Sequence, residues 1–131
     1  MMRLLLDTHI LLWWVMADRR LSKALAGIIA SPENDVAVSA ASLWEIAIKR
    51  TLGRIEVDLE ELLSSMTEDG FTELPLRFGH SLRLEALPRH HDDPFDRILI
   101  AQSIADGRRL VTKDDSILAY AGLGGFDVLS G

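Results

Sequence analysis

Arg3-Leu4-Leu5-Leu6-Asp7-Thr8-His9 sets three leucines directly against an acid and a hydroxyl. A short apolar run with no polar alternation is the pattern of a strand buried on both faces of a parallel sheet. Thr8 is suited to cap the helix that follows, which runs to about Met16, is apolar almost all round and carries Trp13 and Trp14. The same order of strand then helix recurs downstream. Val36-Ala37-Val38 precedes a helix capped by Ser39 that runs to about Leu52 and ends at Gly53. Phe71 to Leu74 precedes a short helix from Phe78 to Leu87, and a further short helix separates strands at Arg109 to Thr112 and Phe126 to Leu129. Three more helices fill the gaps: one marked by Leu21, Leu25, Ile28 and Ile29, an acidic one from Asp58 to about Glu68, and one opened by Asp93-Pro94 and closed near Gly107. Strands alternating with helices predict an α/β fold around a mostly parallel five-stranded sheet.

The chain has 131 residues, the length of one domain spanning 1–131. Its 48% hydrophobic and 26% charged residues exclude a disordered chain. With Cys 0, a disulfide scaffold, a thiolate zinc site and a cysteine nucleophile are excluded as well. The first residues resemble a signal peptide only until Asp7 and His9 interrupt the apolar run, and no stretch reaches the ~20 apolar residues of a membrane helix. The expectation is a soluble cytoplasmic protein. The net charge of −6 argues against a polyanionic partner, but it is unevenly spread. Seven acids lie between Ile55 and Leu76 without one Lys or Arg, so the rest of the chain carries 14 basic against 13 acidic residues.

In an open parallel sheet, ligands bind beyond the carboxyl ends of the strands. Asp7 follows the first strand, Asp114 follows Leu110-Val111-Thr112, Glu45 lies in the first turns after the second strand, and Asp96 is the third residue of its helix. Each has an ordinary explanation: a helix cap for Asp7, an ion pair with Lys49 for Glu45, a dipole contact for Asp96 and a helix start for Asp114-Asp115. Glu45, however, is flanked by Leu43, Trp44, Ile46, Ala47 and Ile48, an apolar setting for a surface acid. Four acids at one edge are costly without a cation, and hard oxygen ligands favour Mg²⁺ or Mn²⁺ over zinc. Such ions serve phosphate chemistry. His9, His80, His90 and His91 form no zinc pattern, and a structural role is assigned to His90-His91 because nothing pairs with them at ligand spacing.

Asp7-Thr8-His9, the run from Ser42 to Lys49, His90-His91-Asp92-Asp93-Pro94-Phe95-Asp96-Arg97 with Ala101-Gln102, and Leu110 to Asp114 resemble PIN-domain proteins, in particular the VapC-type toxins of bacterial toxin–antitoxin pairs. The match runs through the whole chain in order. The resemblance implies a three-layer α/β/α sandwich and a magnesium-dependent endoribonuclease, with Mn²⁺ a substitute. It assigns metal binding and catalysis to Asp7, Glu45, Asp96 and Asp114, with Thr8 and Thr112 holding those acids in place. It also implies homodimers and inhibition by a small antitoxin that inserts a C-terminal segment near the active site. Many PIN domains carry a further acid two positions after the one matching Asp114; here that position is Ser116.

Candidate RNA contacts are Lys49, Arg97 and Lys113, with Arg50, Arg54 and Arg89 behind them. Alternatives are a catalytically weak PIN-fold binding module and a DNA-directed nuclease of the same fold, which shares the phosphate chemistry. Trp13 and Trp14 point about 100° apart on their helix. At least one of them is therefore expected to meet another chain.

Overall fold

The computed structural model describes residues 1–131. In chain order its elements are β1 (Arg3–Leu6), α1 (Thr8–Val15), α2 (Lys23–Ala30), β2 (Asp35–Ser39), α3 (Ala40–Thr51), α4 (Leu59–Glu68), β3 (Thr72–Leu74), α5 (Phe78–Glu85), α6 (Pro94–Asp106), β4 (Arg109–Val111), α7 (Asp115–Leu118) and β5 (Val128–Leu129). The sheet order is β3-β2-β1-β4-β5, and every neighbouring pair is parallel rather than merely most of them. No helix is long and apolar enough to cross a membrane.

The leucines of β1 explain the layers. Successive side chains of a strand point to opposite faces. Leu4 and Leu6 accordingly join one core with Ile10, Leu11, Leu25, Ile29, Ile46, Leu62 and Met66, while Leu5 joins the other with Leu99, Ile100, Ile117 and Tyr120. α1, α2 and α4 thus cover one face and α5, α6 and α7 the other, giving the α/β/α sandwich. All three leucines are fully buried, each contributing about 1.5–3 kcal/mol.

The chain runs from β1 outward through β2 to β3, then returns across the sheet to β4. The order therefore reverses beside β1, between its carboxyl end and that of β4, which is where such sheets bind ligands.

Three local expectations change. Thr8 is the first residue of α1, and Asp7 is its cap: Asp7 Oδ1 accepts the Ile10 N–H at 2.7 Å. The last strand is only Val128–Leu129, because Phe126 is buried in the core with Tyr120 rather than paired in the sheet. Trp13 and Trp14 do diverge, but both find partners within the chain. Trp14 Nε1 donates to Asp69 at 2.8 Å and its ring meets Phe71, while Trp13 lies under Arg20 and beside His9.

The turn after α1 carries the one non-glycine residue at positive φ, Ala17 at 51°. Ala17 N–H donates to Trp14 O and Asp18 N–H to Trp13 O at 2.9 Å, the paired bonds that reverse a chain at a helix end. A left-handed alanine costs about 1–2 kcal/mol, more than the extra chain freedom of a glycine, about 0.4–1 kcal/mol. Ala17→Gly should therefore raise stability by up to about 1 kcal/mol, seen as a higher urea midpoint with unchanged slope.

Candidate metal centre

Asp7 sits where β1 becomes α1. Its N–H donates to Val111 O at 3.1 Å, so the backbone ladder with β4 continues to the acid itself. One carboxylate oxygen caps α1, and the other accepts the Thr112 hydroxyl proton. Thr112 Oγ1 also accepts the Asp114 N–H at 3.1 Å, so one hydroxyl links the acids that end β1 and β4. Asp114 in turn caps α7, its Oδ1 accepting from Ser116 N–H at 2.8 Å.

Glu45 lies in the second turn of α3 and is only 4% exposed. Thr8 Oγ1 donates to its Oε1 at 2.8 Å, Ser42 Oγ lies 3.1 Å from Thr8 Oγ1, and Lys49 Nζ donates to its Oε2 at 2.8 Å. The ion pair expected from the i,i+4 spacing exists, yet its acid is inside the protein. Asp96 is the third residue of α6, and Asp93 caps that helix through Phe95 N–H and Asp96 N–H. His91 Nε2 donates to Asp96 Oδ2 at 2.8 Å.

Burial is the main force on the two central acids. It raises the Asp7 carboxyl to about 6, against the hydrogen bonds from Thr112 and Ile10, and the charge of Asp96 pushes the same way. Burial likewise raises Asp96, opposed by the His91 hydrogen bond and reinforced by the charges of Asp93, Asp114 and Glu45. Asp96 is therefore within electrostatic reach of Asp7, Glu45 and Asp114, which come from separate parts of the chain, although no three of these four carboxylates lie within 4.8 Å of one another.

Carboxylate oxygens steadied by threonine hydroxyls are the kind of donor a hard divalent cation takes. A bound cation would relieve both the burial and the mutual repulsion. His91, Asp93 and Asp96 also approach within 4.8 Å of one another. That trio has a sufficient explanation without metal, because Asp93 caps α6 and His91 pairs with Asp96.

Two sequence assignments need correction. Arg97 is not free to meet phosphate: its Nη1 donates to Pro88 O at 2.9 Å, Tyr120 Oη at 3.0 Å and His91 O at 3.3 Å, bracing the loop before α6. His91 does have a partner, Asp96, five residues on. Lys49 is held by Glu45, whereas Lys113 is exposed and lines a cleft of about 250 Å³ together with Asp7, His9, Trp13, Arg20 and Asp114. Arg20 was invisible in the sequence as a site residue, because only the turn at Ala17 brings it back over α1, whereas His9 comes to the cleft beside Asp7.

The PIN domain profile matches residues 4–123. Ribonuclease VapC22 of Mycobacterium tuberculosis is 33% identical over 127 residues, covering 92% of this chain and 93% of that protein. Among solved structures, VapBC2 of Rickettsia felis bound to a promoter DNA fragment superposes with TM-score 0.70 at 14% identity, covering 98% of each chain. A toxin–antitoxin complex from Klebsiella pneumoniae gives 0.63 at 22% identity, over 96% of this chain and 95% of that one. At those identities the superpositions speak for the fold.

The raised Asp7 carboxyl fixes the sign of a stability effect. The metal-free native state binds this proton more readily than the unfolded chain, so ionised Asp7 destabilises it at neutral pH. The penalty shrinks as pH falls through about 6 and is gone below the ordinary value of 3.8. An asparagine keeps the α1 cap through Oδ1, and its amide can donate to Thr112. Asp7→Asn should therefore be more stable than wild type in EDTA at pH 8, by up to about 3 kcal/mol, with no such advantage at pH 4. Urea melts at both pH values check this.

Proposed function

The chain belongs to the PIN-domain family, in its VapC-type branch, and on that premise we propose that it is the toxin of a toxin–antitoxin pair. Its activity in this reading is that of a Mg²⁺-dependent endoribonuclease, with Mn²⁺ a substitute, formed by one PIN-like domain over 1–131 and acting in the cytoplasm on RNA. The observation that carries the reading is the burial of Asp7 and Glu45, held by Thr112 and Thr8 at the reversal point of the sheet, with Asp96 within reach of both charges. Asp7 and Asp114 also cap helices and Glu45 holds Thr8 and Lys49, but burial pushes the Asp7 carboxyl up to about 6, a cost at neutral pH that a bound cation would offset.

In this reading Asp7, Glu45, Asp96 and Asp114 hold the cation. A divalent ion bound there supplies Lewis acidity to the phosphoryl oxygens and a more acidic water. The protein's own residues do the orienting. Thr112 fixes Asp7 and, through its oxygen, the start of α7, while Thr8 fixes one oxygen of Glu45 and leaves the other with Lys49. His91 holds Asp96 in one rotamer at the positive end of α6. Lys113, exposed beside Asp114, balances the acids where a phosphate would enter.

Asp96→Asn should abolish RNA cleavage, remain folded, and gain less thermal stability from millimolar Mg²⁺ than wild type does. Cleavage at the wild-type rate, or equal gains from metal, would make Asp96 a dipole partner of α6 and remove the metal reading. Cleavage of single-stranded DNA at the rate seen with RNA would turn the assignment to a DNA nuclease.

The reading also includes a homodimer and a small antitoxin. Its support here is apolar surface: Trp44 is 60% exposed, Phe78 94% and Leu82 71%. Trp44 and Leu76 rim an apolar groove of about 240 Å³ between α3, α5 and α6. Exposed apolar groups in such number mark contact surfaces. The protein alone should sediment as a dimer, and Leu82→Glu should give a folded monomer. A wild-type monomer with no short co-purifying partner from its own operon would count against both associations.

A further inference from the structure

We propose that Arg20, laid over the indole of Trp13, is a stacking platform for one unpaired base of the RNA, beside Asp7 and Asp114. The proposal rests on the ribonuclease reading above and names the form of substrate that reading leaves open.

The Arg20 guanidinium carbon lies 5.1 Å from the centroid of the Trp13 ring, and both residues line the cleft shared with Asp7, His9, Lys113 and Asp114. Asp18 fixes the guanidinium from its edge. Arg20 Nε donates to Asp18 Oδ1 at 3.1 Å and Nη2 to Oδ2 at 2.7 Å, while the Arg20 N–H donates to Oδ1 at 2.9 Å. These hydrogen bonds hold the Asp18 carboxyl down to about 2.

The geometry decides what Arg20 can offer. An arginine that grips phosphate presents its two-pronged edge. Here the Nε–Nη2 edge is taken by Asp18, and the guanidinium carbon lies over the Trp13 ring. What remains is a side chain 66% exposed, with both Nη1 protons and one Nη2 proton free of any acceptor in the protein. A flat cation fixed along one edge fits a nucleobase: the plane stacks and a free N–H meets a ring nitrogen or carbonyl. A base inside a duplex has both faces covered, so the site selects an unpaired one.

The strained turn supports this. Left-handed backbone at Ala17, where glycine would serve better, returns Asp18 and Arg20 over α1. Strain held beside a cleft of acids points to function. Lys113, exposed on the other strand's loop, is then left for the neighbouring phosphate.

The test is a hairpin RNA carrying 2-aminopurine either in its loop or in its stem, bound in EDTA to the Asp96→Asn protein, with cleavage measured separately in Mg²⁺ for the wild-type background. Loop fluorescence should be quenched on binding and stem fluorescence should not. Arg20→Ala should weaken loop binding about 10- to 100-fold, and raise KM with little change in kcat. Arg20→Lys keeps the charge but not the plane and should not restore binding. Asp18→Asn, which loosens the edge without entering the cleft, should fall between. Melting curves show whether each variant is folded. Full binding by Arg20→Lys makes the residue a simple counter-charge, and equal quenching of loop and stem removes the selection for an unpaired base; either overturns the proposal. Cleavage that is intact while the Arg20 variants behave as wild type also overturns the platform and leaves the nuclease standing. A wild type that cleaves no RNA in Mg²⁺ fails the nuclease reading instead.

Discussion

The carboxylate of Asp7 is the point on which the carboxyl end of the sheet depends. It stands at the end of the central strand, with one oxygen closing the first turn of α1 and the other held by Thr112 from β4. Burying a charge is expensive unless it is hydrogen-bonded. The two bonds reduce that expense without cancelling it, and the carboxyl still rises to about 6. Because every strand is parallel, the same end of the sheet also receives the start of α3 after β2 and the Thr112–Asp114 corner after β4. One topological fact thus brings three helix starts and their acids to one edge.

The segment from Asp93 to Gln102 shows how a motif divides its labour. Asp93 caps α6, Pro94 occupies its first turn, and Phe95 packs edge-on against Trp44 at 5.5 Å. Asp96 faces the other acids, while Arg97 turns away to tie together the carbonyls of Pro88 and His91 and the hydroxyl of Tyr120. One turn further, the fully buried Gln102 accepts the Ser39 hydroxyl proton at 2.6 Å and donates to Pro75 O. It therefore locks the start of α3 against α6. Most of the motif is scaffolding whose product is the position of a single carboxylate.

The centre is also an electrostatic compromise. The acids repel, and the protein answers with few cations of its own: Lys49 on Glu45, and Lys113 and Arg20 in the cleft. Each is placed on the periphery of the set. Sites built this way trade stability for chemistry. The strain at Ala17 belongs to the same economy, since it shapes the wall opposite the acids rather than the core.

What the sequence alone determined was whatever short-range physics decides. Three leucines in a row, Ser39 as a cap, and Pro94 after Asp93 act within a few residues, and all are seen in the structure. The sequence also put Asp7, Glu45, Asp96 and Asp114 near strand ends or helix starts, because the end of an element is visible in its own pattern. The three-dimensional arrangement decided which long side chains were already engaged. Arg97 and Lys113 look equally free as letters. Yet one bonds to Tyr120, 23 residues away, and the other is exposed. The same holds for Trp14 with Asp69, 55 residues off, and for Thr112 with Asp7, 105 residues off. A flexible side chain takes its partner from whatever the fold brings within about 3 Å, and sequence separation carries no record of that distance.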